Sequence, residues 1–288
     1  VNDRPADAKA WFRRAFDLDP GYEYAGFQLF DLHLEANETA EAAWMLSTMK
    51  SRKASPYITA REVQLAVRSR DLSAAEAGLR ELTGRPDNDD WPLQAAVEAA
   101  AGQMTTSRLD HILRDALTQP AFHPSVGHLW LKHVGPHRCW FTKVRFVERL
   151  IGLGSSRASS WTVADLMVSL GDHGHWAWLR YFMARHHQWL HDDTWAWAYT
   201  GRALLMVRRY WAVVRWYEGY SERKDLHPWM VHILMQSLRQ LGRVDAACEA
   251  SRFALSLSPD HATDSHRVML AYGEAARGRF EEARELID

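Results

Sequence analysis

The sequence predicts an all-α chain built as a solenoid of tandem helical hairpins, and three columns of residues predict it. Trp161, Trp195 and Trp229 stand 34 residues apart. Gly174, Arg208 and Gly242 keep the same spacing, as do Leu179, Val213 and Ala247. A fixed period of this length marks stacked repeats, each too small to bury its own apolar stripes. Strand-like alternation with hairpin turns is nowhere evident.

The copy at 228–261 shows why the period means a hairpin. Pro228 suits a first helical position, where its missing N–H would have had no partner. Val231, Leu234, Met235 and Leu238 then follow at helical spacing on one face. Gly242 ends this helix, since glycine takes the left-handed cap conformation at little cost. A second helix runs from Asp245 with Ala247, Ala250, Phe253, Ala254 and Leu257 inward, and Ser258–Pro259–Asp260 stops it.

These features resemble the tetratricopeptide repeat (TPR) family. The family's turn glycine falls on Gly174, Arg208 and Gly242, and its small packing residue on Met167, Gly201 and Met235. Its alanine falls on Leu179, Val213 and Ala247, and its proline on His191, Asp225 and Pro259. The match is good at 228–261 and degenerate in the two copies before it. The resemblance implies a right-handed superhelical array.

Taken in order, Ala8, Trp11, Phe12, Ala15 and Leu18 before Pro20 read as the second helix of a repeat whose first helix is missing, a half-repeat over 1–22. The chain therefore reads as beginning inside a solenoid, as a piece of something longer. Repeats are expected at about 23–56, 57–87, 88–121, 122–159, 160–193, 194–227 and 228–261, with a partial repeat over 262–288. Residues 23–56 turn at Asn37, and residues 57–87 turn at Asp71 and break at Gly84–Arg85–Pro86. Residues 88–121 carry Trp91, Ala95 and Gly102 at family positions. Residues 122–159 are interrupted by Gly135–Pro136, and their glycine- and serine-rich tail makes 152–160 a candidate hinge in one continuous array.

Composition narrows function. Net charge is −1, so a broad nucleic-acid surface is not expected. No apolar run is long enough to span a membrane and no amino-terminal signal segment is evident, which points to the cytoplasm; an upstream signal would place the chain in the periplasm. Cys139 and Cys248 lie in different repeats and are expected to be reduced and buried. Asn37–Glu38–Thr39 matches a glycosylation acceptor, a motif common by chance.

Phosphate-loop, HExxH, GxSxG and CxxC signatures are all absent. Gly152–Leu153–Gly154 reads as a loop between repeats. His173, His175, His186, His187 and His191 cluster, and His187 and His191 are four apart on one helix face, a zinc-ligand spacing that Asp192 or Asp193 could extend. No cysteine and no third helical ligand joins them, so rim histidines that charge below pH ~6.5 are the expectation, with no metal and no cofactor.

Nine of the 14 tryptophans fall between 161 and 229. Trp197 and Trp176 take the family's packing positions. The Trp161, Trp195 and Trp229 column falls where the resemblance implies a concave groove lined by first helices. Carried over residue by residue, that groove holds Trp161, Ala164, Val168, Gly171 and Asp172. It continues with Trp195, Ala198, Arg202, Leu205 and Met206, then Trp229, His232, Gln236, Arg239 and Gln240. The column either binds a partner, with Arg202, His232, Gln236 and Arg239 beside it, or wedges neighbouring hairpins apart. The family's lysine and asparagine clamp for acidic carboxy termini is not present, so an aromatic or apolar segment or a partner helix suits the surface better.

The function expected is a non-catalytic scaffold that holds a protein or peptide partner along its groove. The half-repeats motivate two alternatives: the recruiting or regulatory region of a larger enzyme, such as a glycosyltransferase or protease, and part of a bacterial envelope or polysaccharide-export assembly.

Overall fold

The structure, a computed structural model, describes residues 5–86, 89–154, 156–257 and 264–287. Among them it is all-α, with 17 α-helices, two short 3₁₀ turns and no strand. The chain divides into two compact units, Val1–Ser159 and Ser160–Asp288.

In the first unit α1 (Pro5–Leu18) is followed by four helix pairs: α2 (Glu23–Glu35) with α3 (Thr39–Arg52), α4 (Pro56–Arg68) with α5 (Leu72–Thr83), α6 (Asp90–Ala101) with α7 (Thr106–Ala116), and α8 (Val126–His133) with α9 (Trp140–Gly152). Helix α4 packs on α5 within its hairpin and on α6, the first helix of the next, while α5 reaches α7. Stacking first helix on first helix and second on second is what buries both stripes of each hairpin. Side chains from α1 to α4, Phe16, Phe30, Met45 and Ile58 among them, form one apolar cluster, each contributing roughly 1.5–3 kcal/mol on burial.

Helix starts follow from short polar side chains. Ser55 caps α4 ahead of Pro56, Asp71 caps α5 through the Ala74 N–H at 3.0 Å, and Thr105 caps α7. The turn at Asn37 has φ 60°, and the left-handed residue before α5 is Arg70, one ahead of the expected Asp71. Gly102 departs from expectation, with φ −77° and ψ −16°. The chain instead leaves α6 by a tight turn in which Met104 N–H bonds the Ala100 carbonyl at 2.7 Å and Met104 is buried.

Gly135–His137 forms a 3₁₀ turn between the short α8 and α9, the interruption expected from Gly135–Pro136. Cys139 follows it and is exposed, which corrects the expectation that both cysteines are buried; Cys248 is buried. The 3₁₀ turn leaves Cys139 at the N-cap of α9, outside any helix face. Within 152–160, Gly154 is left-handed at φ 73° and α10 already begins at Ser156.

The second unit is formed from α10 (Ser156–Asp172), whose first turn precedes the boundary, and α11 (Trp176–Asp192), α12 (Thr194–Met206), α13 (Tyr210–Trp216), α14 (Pro228–Gln240), α15 (Val244–Leu257), α16 (Asp264–Ala276) and α17 (Phe280–Glu285). Helix α11 leaves helical geometry at His186, where φ is −118° and ψ 24°. Gly174, Arg208 and Gly242, the 34-residue turn column, are all left-handed, with φ of 67°, 58° and 71°. The Ser258–Pro259–Asp260 stop lies outside the described residues.

Candidate functional site

The ladder of tryptophans is built by the second turn of α10 and the starts of α12 and α14. Asp193 sets the first two rungs. Its carboxylate accepts the Ala196 N–H at 2.7 Å, capping α12 just before Trp195, and the Ser160 hydroxyl at 2.5 Å, next to Trp161. The Trp161 and Trp195 ring centroids are 5.3 Å apart and tilted by 33°; those of Trp195 and Trp229 are 5.9 Å apart and tilted by 34°. Tyr199 closes on Trp229 at 5.4 Å, and His227 lies 5.9 Å from Trp195. Trp161 remains 50% exposed and Trp195 37%, and Trp229 is half-buried.

The remaining tryptophans of this region divide differently. Trp197 and Trp216 are buried and donate their indole N–H groups to each other's backbone carbonyls. In the first unit buried Trp130 donates to Asp110 Oδ1 at 2.6 Å. Among the described residues no protein acceptor takes the indole N–H of Trp161, Trp195 or Trp229.

Helix α14 carries the site onward. His232, Gln236 and Arg239 line a cleft of about 800 Å³ between α14 and α16, opposite Ser265, Val268 and Tyr272. The Gln236 amide nitrogen lies 2.6 Å from His232 Nε2, and Ser265 Oγ lies 3.1 Å from Nδ1. An amide donating to Nε2 leaves Nδ1–H to donate to Ser265. Burial, then the nearby His266 and Arg239, hold the His232 imidazole below its ordinary range. The α16 half of the cleft was not legible in the sequence; Val268 and Tyr272 are exposed apolar residues on an otherwise unremarked helix.

Arg202 is exposed on α12, two turns beyond Trp195. Three residues expected in the groove are instead packing residues. Ala164 and Ala198 are buried, and a Cβ on Gly171 would lie 2.9 Å from the Ala203 Cα. At Gly171 the missing side chain lets α10 approach the α12 backbone closely, which takes it off the open face.

The histidine pair has structural neighbours. His187 and His191 stack at 5.4 Å and meet the Trp216 ring, while Arg223 lies 3.3 Å from His191 Nδ1 and donates to its carbonyl. Asp192 accepts from Gln188, and Asp193 serves the cap described above. Among the described residues no group of three or more His, Cys, Asp or Glu is placed to hold a metal, and a guanidinium beside His191 opposes a second cation there.

A second aromatic ladder, missed in the sequence, lies in the first unit. Phe27, Tyr57 and Trp91 stack at 5.9 and 5.4 Å. Buried Arg61 sits 4.0 Å from the Phe27 ring and 4.9 Å from the Trp91 ring, paired with Asp31 at 3.1 Å. Tyr57 and Trp91 are 34 residues apart but Phe27 and Tyr57 only 30, so the three form no column at one period. Here a guanidinium packs on the aromatic rings, whereas no cation is found over the rings of the second unit's ladder among the described residues.

No protein-family model matches the sequence, and no curated protein matches it. Among solved structures, the chain is similar to the P58(IPK) TPR domain, with 14% identity over 99% of this chain and 87% of that one and a TM-score of 0.31. No helix among the described residues is long and apolar enough to cross a membrane.

Proposed function

We propose that the chain is a non-catalytic interaction scaffold and that residues 160–288 hold a protein or peptide partner on the face formed by α10, α12, α14 and α16. The observation that carries this reading is a run of three contiguous tryptophan rings, Trp161 and Trp195 exposed and Trp229 half-buried, with His232, Gln236 and Arg239 lining a cleft further along α14. Aromatic and arginine side chains dominate binding energetics because they bury large areas and keep a polar end. Trp161, Trp195 and Trp229 are the anchors; Arg202, His232, Gln236 and Arg239 supply the polar contacts. Affinity from apolar burial, roughly 25 cal/mol per Å² less the ordering cost of the ligand, predicts weak salt dependence.

The test compares capture of partners from native extract by wild type and by a Trp161, Trp195 and Trp229 to Ala triple variant, with circular dichroism to verify folding. A partner lost only by the folded variant supports groove binding. Equal capture by both assigns these tryptophans to packing and places binding elsewhere.

A further inference from the structure

We infer that the outer side of α11 and α13 docks on an anionic phospholipid surface, a function on a face that the groove reading does not use. The stretch from Trp176 to Trp216 holds six arginines, no lysine and two acidic residues, Asp192 and Asp193. Its net charge is therefore +4, in a chain whose total is −1. Both carboxylates are engaged locally: Asp192 accepts from Gln188, and Asp193 caps α12 and accepts from Ser160. Arg202 lies on α12. The other five, Arg180, Arg185, Arg208, Arg209 and Arg215, are exposed on α11, on α13 or in the turn ahead of it.

Packing and period put these five on one side. Helix α12 packs against both α11 and α13. The Arg209 guanidinium lies 5.0 Å from the Trp176 ring at the starts of the two helices, and Trp216 meets His187 and His191 near their ends. Helices α11 and α13 therefore run side by side in the same direction. Exposed residues recur along α11 at 177, 180, 181, 184, 185 and 188, a single helical stripe. Tyr181 and Arg215 hold the same place in successive repeats, as do Ala177 and Trp211. The stripe of Arg208, Trp211 and Arg215 thus lies beside that of α11. Among the described residues Arg180, Arg208, Arg209 and Arg215 have no carboxylate partner. On other second helices Arg80 pairs with Glu76, Arg114 with Asp110 and Arg252 with Glu274.

Unpaired guanidinium groups on an open face complement a surface of phosphates. The aromatics among them favour lipid over a nucleic-acid strand. Trp211 is 66% exposed and Tyr181 40%, and such side chains settle at a membrane interface with the ring in lipid and the polar end in water. A single strand needs successive open rings on which its bases stack. Here Arg209 lies over Trp176, and Tyr181 meets Trp178 edge-on at 5.9 Å. No ring or cation stacks on Trp211 among the described residues. Leu179, Phe182 and Val213 bury the inner sides of both helices. The face therefore adsorbs on headgroups without inserting a helix, with Trp211 as its anchor.

The experiment is co-sedimentation with vesicles of phosphatidylcholine alone and of phosphatidylcholine with phosphatidylserine, at low salt and at about 0.5 M salt. Labelled oligothymidylate is added as a competitor. Wild type is expected to sediment with the anionic vesicles only and to be released by salt. Arg208→Gln with Arg215→Gln should weaken binding roughly 25-fold, about fivefold per charge. Trp211→Ala should weaken it while leaving the release by salt intact. Arg14→Gln with Arg149→Gln, at two exposed arginines of the first unit, changes net charge equally and should leave binding unaltered. Circular dichroism verifies that every variant is folded. Failure to bind anionic vesicles overturns the inference, as does equal binding to neutral ones. Equal losses in the two arginine pairs, wild-type binding by Trp211→Ala, or preference for oligothymidylate over vesicles overturns it as well. The ladder variant tests a different face, so either reading can fail while the other stands.

Discussion

Trp197 and Trp216 hold each other by reciprocal hydrogen bonds: Trp197 Nε1 donates to the Trp216 carbonyl at 3.2 Å, and Trp216 Nε1 donates to the Trp197 carbonyl at 2.9 Å. Both side chains are buried, so α12 and α13 are locked by two bonds shielded from water. Trp216→Phe keeps the aromatic ring but leaves the buried Trp197 carbonyl without its indole donor. A loss of about 1–3 kcal/mol is expected, read as a lower melting temperature. An unchanged melting temperature would show that the lock contributes nothing net.

The same hairpin is closed over Gly201. A Cβ there would lie 2.3 Å from Tyr217 Cε2, and the Tyr217 ring is itself wedged 4.2 Å from Trp197. Gly201→Ala should therefore force the ring aside at a cost of roughly 1–3 kcal/mol. Loss of near-ultraviolet circular dichroism with retained helicity would report the displaced aromatic cluster.

Ala247 is fully buried on α15. Ala247→Leu should overpack the crossing and cost about 1–3 kcal/mol. A chemical denaturation midpoint equal to wild type would count against the repeat register, because an outward-facing residue tolerates the larger side chain.

His266 gives the second unit a pH dependence. Its Nε2 lies 3.0 Å from the Pro228 carbonyl and its Nδ1 3.3 Å from Ser251 Oγ, so the neutral tautomer donates to one and accepts from the other. Burial holds the imidazole below its ordinary range, outweighing the Pro228 carbonyl, which acts to raise it. The unfolded chain then binds the proton first, so stability falls as pH drops below the unfolded value near 6.5 and stops falling below the folded value. His232 and His191, also lowered by burial, act in the same direction. Melting curves from pH 7.5 to 5 should show this decline, and His266→Gln should reduce its slope.

Asp193 joins two rungs of the ladder, so Asp193→Ala removes the α12 cap and the Ser160 contact together. The expected loss is on the order of 1 kcal/mol or more. Asp193→Asn retains a capping oxygen and should recover most of it; equal losses in both variants would mean that the charge, not the cap, matters.

Helix pairs and turns were legible because they are written locally. Gly174 and Gly242 announce a left-handed turn, and the period extends it to Arg208, where a non-glycine residue takes φ 58° because the hairpin on either side requires it. The unit 1 aromatic ladder was not legible, since Phe27, Tyr57 and Trp91 keep no common spacing and are assembled around the buried Arg61. Cys139 was misread as buried because the 3₁₀ turn that exposes it depends on how α8 ends, which apolar periodicity does not encode.

The sequence alone determined an all-α chain of helical hairpins, because hydrophobic period, caps and turn residues act over a few residues each. It also singled out the column Trp161, Trp195 and Trp229. Only the tertiary structure decided how that column is packed. Trp195 and Trp197 are two residues apart on α12, so the helix points them to different sides, yet nothing local states which side the neighbouring helices cover. Packing buried Trp197 against Trp216 and Tyr217 and left Trp195 open, with its N–H unspent, because burial is fixed by what stacks on a helix and not by the helix itself.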